Sequence, residues 1–369
     1  MGWNYLNNKD RLSVKTAETV MATESPYTKK WCYEHGLVLK ALEKVWQATG
    51  EERYFDFIRT STDKFVEPNG VINTYKPAEY NIDHINFGKV LFALFEKTGD
   101  ARYRKAMDTL MQQLAAHPRT NEGGFWHKNI YPHQMWLDGI YMASPFYAEF
   151  TKKFGRIEDF DDIANQIILA DRHMRDKGTG LLYHGWDESR SQKWSNPDTG
   201  YSPNFWGRAM GWYAMAIVDV LDFMPEGHYS RDKILKIFNT MAEALLKYQD
   251  KETGMWYQLV DKGNSAGNYL ETSATSMFVY ALAKAARCGY ADSSFKKAAM
   301  KAYEGIVMKY VVIDQQGLVN INGICKVAGL GGNPYRDGSY EYYVNEPVVT
   351  NDYKGVGPFI MASVECENI

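Results

Sequence analysis

The sequence predicts an all-α fold. The expected architecture is an (α/α)6 barrel, six helical hairpins closed into a toroid with short strands in the loops between them. Three observations predict it. A helical hairpin recurs along the chain. Segments rich in glycine and aromatic residues separate the hairpins. The last core helix has no following partner unless the N-terminal helix supplies one.

The clearest repeats are Gly36-LVLKALEKVWQATGEERYFDFIRT and Gly88-KVLFALFEKTGDARYRKAMDTL. Each runs from a small residue through an apolar stretch of helical period to a Thr-Gly-Glu/Asp turn. An Arg-Tyr pair and a second amphipathic helix follow. Gly50 and Gly99 suit a left-handed helix stop, and Glu51 or Asp100 favours the next start. Looser copies begin at Gly139, Gly211 and Thr272. The sixth inner helix is Gly355-VGPFIMASVE, with the helix around Leu12–Thr23 as its partner. Inner helices are apolar and outer ones carry Lys and Glu. An open helical array is the alternative; the irregular repeats and the split last hairpin favour closure.

No linker or low-complexity stretch divides the 369 residues, so residues 1–369 read as one barrel domain. The net charge of −3 is too small to argue for nucleic acid or an anionic membrane. No apolar run approaches the roughly 20 residues of a membrane span. The opening residues lack a basic start followed by an apolar stretch, which reads as cytoplasmic, or secreted or periplasmic if a signal has been removed. Cys32, Cys288, Cys325 and Cys366 are dispersed and read as reduced core residues. The His residues show no paired metal spacing, so no metal and no cofactor is expected. Gly329-Leu-Gly-Gly lacks a Lys-Ser/Thr partner and a βα setting, so it is not a phosphate loop. Nothing in the sequence reads out the oligomeric state.

Ten Trp and 26 Tyr lift the aromatic content to 14%, which points to a ring-lined cleft for sugars as well as a large core. The inter-hairpin segments GGFWHKNIYPHQMWLDG, GLLYHGWDE, GMWYQLVDKG and GLVNINGICKVAG are expected to crowd one mouth of the barrel. They hold His127, Lys128, His133, Asp138, His184 and Asp187. Asp83 and His84 stand at the equivalent phase of an earlier repeat. Asp138 starts an inner helix, where Asp commonly serves as a cap. With Trp136 before it and Tyr141 after it, a partly apolar site would instead raise its pKa for proton donation. Asp83 invites the same comparison. Arg208 and Trp212 share a helix face, and Trp206 lies two residues earlier. That trio is either a surface Arg over an indole or a guanidinium reading a sugar between stacking rings. His184 divides between a structural and a substrate hydrogen bond.

Together these segments resemble the unsaturated rhamnogalacturonyl hydrolases, glycoside hydrolase family 105, and more distantly the unsaturated glucuronyl hydrolases, family 88. The matching stretches are GGFWHKNIYPHQMWLDGIYMASPF, TGLLYHGWDE, WGRAMGWY, YQDKETGMWYQLVDKG, EYYV and GVGPFIMA. The resemblance runs from about Trp31 to the end. It implies an (α/α)6 barrel without metal. It also implies removal of a terminal 4,5-unsaturated uronic acid from a lyase-generated disaccharide, most readily unsaturated galacturonate linked to rhamnose. The family's catalytic aspartate matches Asp138, and a second functional aspartate matches Asp83. Substrate-contacting positions match Tyr33, His127, Lys128, Trp136, His184, Trp206, Arg208 and Trp212. Two positions depart from the family pattern and bear on subsite preference: the stretch around Tyr33 reads WCYEHG, and His133 replaces a Tyr. The competing readings are an unsaturated glucuronyl hydrolase for another lyase product, a toroid hydrolase or epimerase of a saturated sugar, and a silent carbohydrate-binding toroid.

Overall fold

The computed structural model describes residues 11–367. Residues 1–10, half of the opening stretch read for a signal, lie outside the described residues. Among the described residues the inner ring runs through α2 (Tyr33–Thr49), a 3-10 stretch (Ile82–Val90) continuing into α4 (Leu91–Thr98), α6 (Leu137–Phe154), α8 (Gly207–Leu221), α10 (Thr272–Cys288) and α13 (Tyr353–Glu367). Each packs on the next, and α13 packs back on α2, so the ring closes. The outer helices are α1 (Leu12–Ala22), α3 (Glu52–Asp63), α5 (Ala101–Ala116), α7 (Asp159–Met174), α9 (Arg231–Lys247) and α11 (Phe295–Tyr310). Helix α1 packs against α13, as the split hairpin requires. Ser13 there donates its backbone N–H to Glu367 across 354 positions of sequence. No helix among the described residues is long and apolar enough to cross a membrane.

The sequence periods explain the two layers. All of α8 but Asp219 is buried, whereas α9 buries one stripe that includes Ile234, Phe238, Met241 and Leu245. Helices α2 and α4 stop at Gly50 and Gly99, with φ of 72° and 67°. Asp100 caps α5 by accepting the Arg102 N–H, but Glu51 makes no cap and pairs with Arg53 instead. The small residue opening the repeat serves close approach. A Cβ on Gly36 would stand 2.3 Å from the Cα of Phe87. The second inner element starts earlier than Gly88. The Asn81 side chain accepts the Asp83 N–H, and the chain coils from Ile82 as a 3-10 stretch.

The strands are short, as expected, and lie in the loops. The pair β1 (Gln134–Trp136) and β2 (Gly185–Asp187) is antiparallel, with Met135 opposite Trp186. The pairs β3 (Val311–Ile313) with β4 (Val319–Ile321), and β5 (Ile324–Cys325) with β6 (Val348–Val349), follow the outer helix α11. A short helix α12 (Tyr340–Asn345) lies between β5 and β6.

Candidate active site

The first β-ladder positions the central pair. Strand β1 feeds directly into α6, so Asp138 follows Trp136 by two residues, and β2 begins just after His184. The Leu137 N–H donates to the His184 carbonyl at 3.1 Å, which ties the two loops where both side chains emerge. His184 Nε2 then stands 3.1 Å from Asp138 Oδ2. The approach is close but poorly aligned, because neither atom completes a hydrogen bond. The other ring nitrogen, Nδ1, lies 2.6 Å from the Tyr343 hydroxyl. Burial holds that phenol protonated far above the ordinary tyrosine range. A protonated phenol can donate to Nδ1, the arrangement that leaves the ring's N–H on Nε2, facing Asp138.

Asp138 does not cap α6. Trp136 holds the cap position, and no side chain closes it. The carboxylate instead opens onto a cavity of about 180 Å3 lined also by Tyr33, Glu34, Asp83, His127, Lys128 and Trp136. Tyr131, Met142, Val327, Ala328 and Arg336 complete the wall. Trp136 stacks on His127 with centroids 4.2 Å apart, and Tyr131 stacks on the same indole at 5.0 Å.

Asp83 and Asp138 differ in kind. Burial pushes the Asp83 carboxyl up, but the Lys128 ammonium 2.7 Å away and His127 at 3.5 Å outweigh it. The carboxyl is held below its ordinary range, the reverse of the raised value expected for Asp83 from the sequence. Burial also holds His127 down at about 4, against the pull of Asp83. Its unfolded-state value is about 6.5. The unfolded chain therefore binds more protons than the folded one between those values, and stability falls as pH drops from 6.5 towards 4. An NMR titration of the His127 ring should show a midpoint near 4. A midpoint near the ordinary value would remove the burial argument.

Like His184, three further predicted residues stand behind the wall rather than on it. Trp206 donates its indole N–H to Gln258 and lies 4.7 Å from His184. Trp212 stacks on Tyr141 at 5.0 Å and meets Tyr33 edge-on. Arg208 is fully buried and donates to the Cys325 carbonyl and to Ser273. The ring beneath its guanidinium is Trp206, at 4.9 Å, and not the Trp212 suggested by helical spacing. Asp187 is spent inside its loop, accepting the N–H groups of Ser189, Ser191 and Gln192. His133 lies at the surface beside Glu188. Sequence reasoning passed over Glu34, Tyr131, Met142, Arg336 and Tyr343. Glu34 sits beside Tyr33, and Tyr131 lies inside the quoted loop, so both were within reach.

A larger cavity, about 560 Å3, opens among the later turns of α2, α4, α6 and α8. Some of its charges pair with one another, as Lys40 does with Glu43 and Lys153 with Glu96, and it contains none of the predicted site residues. The smaller cavity is the candidate site, because carboxylates, a neutral imidazole and stacking rings converge there.

A profile of Glycosyl Hydrolase Family 88 matches residues 7–369. The chain belongs to glycosyl hydrolase family 88. This family 88 enzyme is 49% identical to a glycoside hydrolase from family 105 of C. acetobutylicum ATCC 824. The match covers 98% of this chain and 100% of that one, with a TM-score of 0.96. The hydrolase is also 41% identical over 230 residues to protein Atu3128 of Agrobacterium fabrum, covering 61% of this chain and 97% of that protein. It is 27% identical over 258 residues to the unsaturated rhamnogalacturonyl hydrolase YesR of Bacillus subtilis, covering 68% and 70%. The barrel expected from the hairpin repeat is thus the fold of its family.

Proposed function

We propose that this hydrolase removes a terminal 4,5-unsaturated uronic acid from a lyase-generated disaccharide, with Asp138 as general acid and base. The observation that carries the reading is Asp138 itself: a cavity carboxylate beside a buried imidazole, neither neutralised by lysine nor used as a helix cap. The name of YesR supports the substrate class. Unsaturated galacturonate linked to rhamnose is the favoured substrate.

The chemistry follows from the bond attacked. The substrate is an enol ether, so the proton goes to C4 and not to the glycosidic oxygen. Asp138 delivers it, and positive charge develops at C5 and the ring oxygen. Water adds at C5 and returns its proton to Asp138. The C5 hemiketal opens by breaking its bond to the ring oxygen, giving a C5 ketone and a hemiacetal at C1. That hemiacetal expels the next sugar as an alcohol and leaves an aldehyde. Asp83 is poorly suited to donate, because Lys128 keeps it ionised; it accepts hydrogen bonds from the sugar hydroxyls or steadies the water. Tyr33, His127, Lys128 and Trp136 shape the ring's seat. His184 stands 3.1 Å from Asp138, and Trp206, Trp212 and Arg208 brace His184 and Tyr33 from behind.

The test is ultraviolet absorbance. A panel of unsaturated uronyl disaccharides should lose its conjugated absorbance on incubation with enzyme, fastest for the rhamnose-linked galacturonate product. Faster loss with glucuronate-derived substrates would reassign the specificity. Turnover confined to saturated glycosides would end the proposal.

A further inference from the structure

The Gly-rich run dismissed as a phosphate loop has a different task. Residues 331 and 336 exchange both backbone hydrogen bonds, Gly331 N–H to the Arg336 carbonyl at 2.8 Å and Arg336 N–H to the Gly331 carbonyl at 3.1 Å. This tight closure turns the Arg336 side chain back over the run. Its Nε donates to the Gly331 carbonyl at 2.8 Å, and Nη2 donates to Leu330 at 3.1 Å and to the Tyr131 hydroxyl at 2.9 Å. A Cβ on Gly329 would stand 2.3 Å from Nη1, so the guanidinium occupies space that only glycine leaves open. Its carbon lies 5.9 Å from the Trp136 ring, on the cavity wall.

The charges lining the cavity make this arginine distinctive. Lys128 is engaged by Asp83 at 2.7 Å. Among the described residues Arg336 is the one lining cation with no carboxylate partner, and its Nη1 has no hydrogen-bond partner. The same lining carries the carboxylates of Glu34 and Asp138, which repel an anion, beside the Asp83 already paired with Lys128. The charge of an anionic ligand is therefore drawn toward Arg336 and away from those carboxylates. A planar guanidinium held rigid by three hydrogen bonds is well matched to a carboxylate.

We propose that Arg336, seated by Gly329-Leu330-Gly331-Gly332, binds the carboxylate of the substrate's uronyl ring and sets the preference for an acidic sugar. This rests on the function proposed above. The experiment compares an unsaturated uronyl disaccharide with its methyl ester, which keeps the double bond and loses the charge. Wild type should favour the free acid. Arg336→Gln should raise KM for the acid about 30-fold, with kcat within a few-fold, and leave KM for the ester within about twofold. Arg336→Lys should restore part of the preference. Gly329→Ala, which displaces the guanidinium without removing it, should shift KM in the same direction by a smaller factor. Equal losses for acid and ester would mean a loop-holding role and overturn the inference, as would an unchanged acid preference in Arg336→Gln. Wild-type enzyme that turns over neither compound would sink the functional reading itself, and the inference with it.

Discussion

Asp138→Asn is expected to lower turnover of an unsaturated uronyl disaccharide by about a thousandfold, the middle of the range for general acid–base catalysis. The amide keeps the shape of the carboxylate but can neither deliver a proton to C4 nor take one from water. Tyr33, Lys128 and Trp136 remain in place, so binding should survive within a few-fold. Calorimetric titration of the variant with intact substrate would measure that directly. The same substitution leaves folding nearly untouched, because Asp138 closes no helix cap and completes no hydrogen bond to His184. Near-normal turnover in the variant would remove Asp138 from the chemistry. A large loss of binding would instead make it a substrate anchor.

Gly36→Ala is expected to lower stability sharply. The added methyl would meet the backbone of Phe87 at 2.3 Å, and backbone cannot swing aside as a flexible side chain can. Overpacking of this kind costs about 3 kcal/mol at its upper end. The denaturant midpoint should fall while the slope of the transition stays the same. Activity should fall too. Gly36 lies one turn after Tyr33 on α2, and Phe87 lies four residues after Asp83, so spreading the contact displaces two residues of the cavity. An unchanged midpoint would mean that the two inner elements do not approach as closely as described.

The fold was legible because its signals are local and repeated. Thr-Gly-Glu/Asp turns stop helices by backbone geometry, and the inner and outer helices carry different apolar patterns that survive in any one repeat. The partnership of α1 with α13 was legible by elimination, since one inner helix lacked an outer one. The 3-10 start at Ile82 was not, because it depends on the Asn81 side chain and on packing against Gly36. In the site, phase within the repeat found Asp83, Asp138 and His184. It could not tell a wall residue from one standing behind it. Arg208 and Trp212 occupy a helix start at the correct phase, yet α8 is buried so completely that both turn into the core. Arg336 was hidden for the opposite reason. It sits in an irregular loop, and only the folded turn shows which way its side chain runs.

The closure of the ring has a further consequence, in time. Leu12, Val14, Ala17 and Val20 of α1 are buried in the finished barrel. Their partner α13 begins at Tyr353. At synthesis rates of about 5–20 residues per second, tens of seconds separate the two on the ribosome. Throughout that interval α1 can pack on α2 but lacks its main partner, and the growing barrel is a crescent with two open edges. Closing the ring is then a docking event between α1 and α13, helices far apart in the chain, governed by chain topology rather than local propensity. Until that docking, the nascent protein presents the surface that holdase chaperones bind, so the yield of active enzyme should depend on them more than its final stability would indicate.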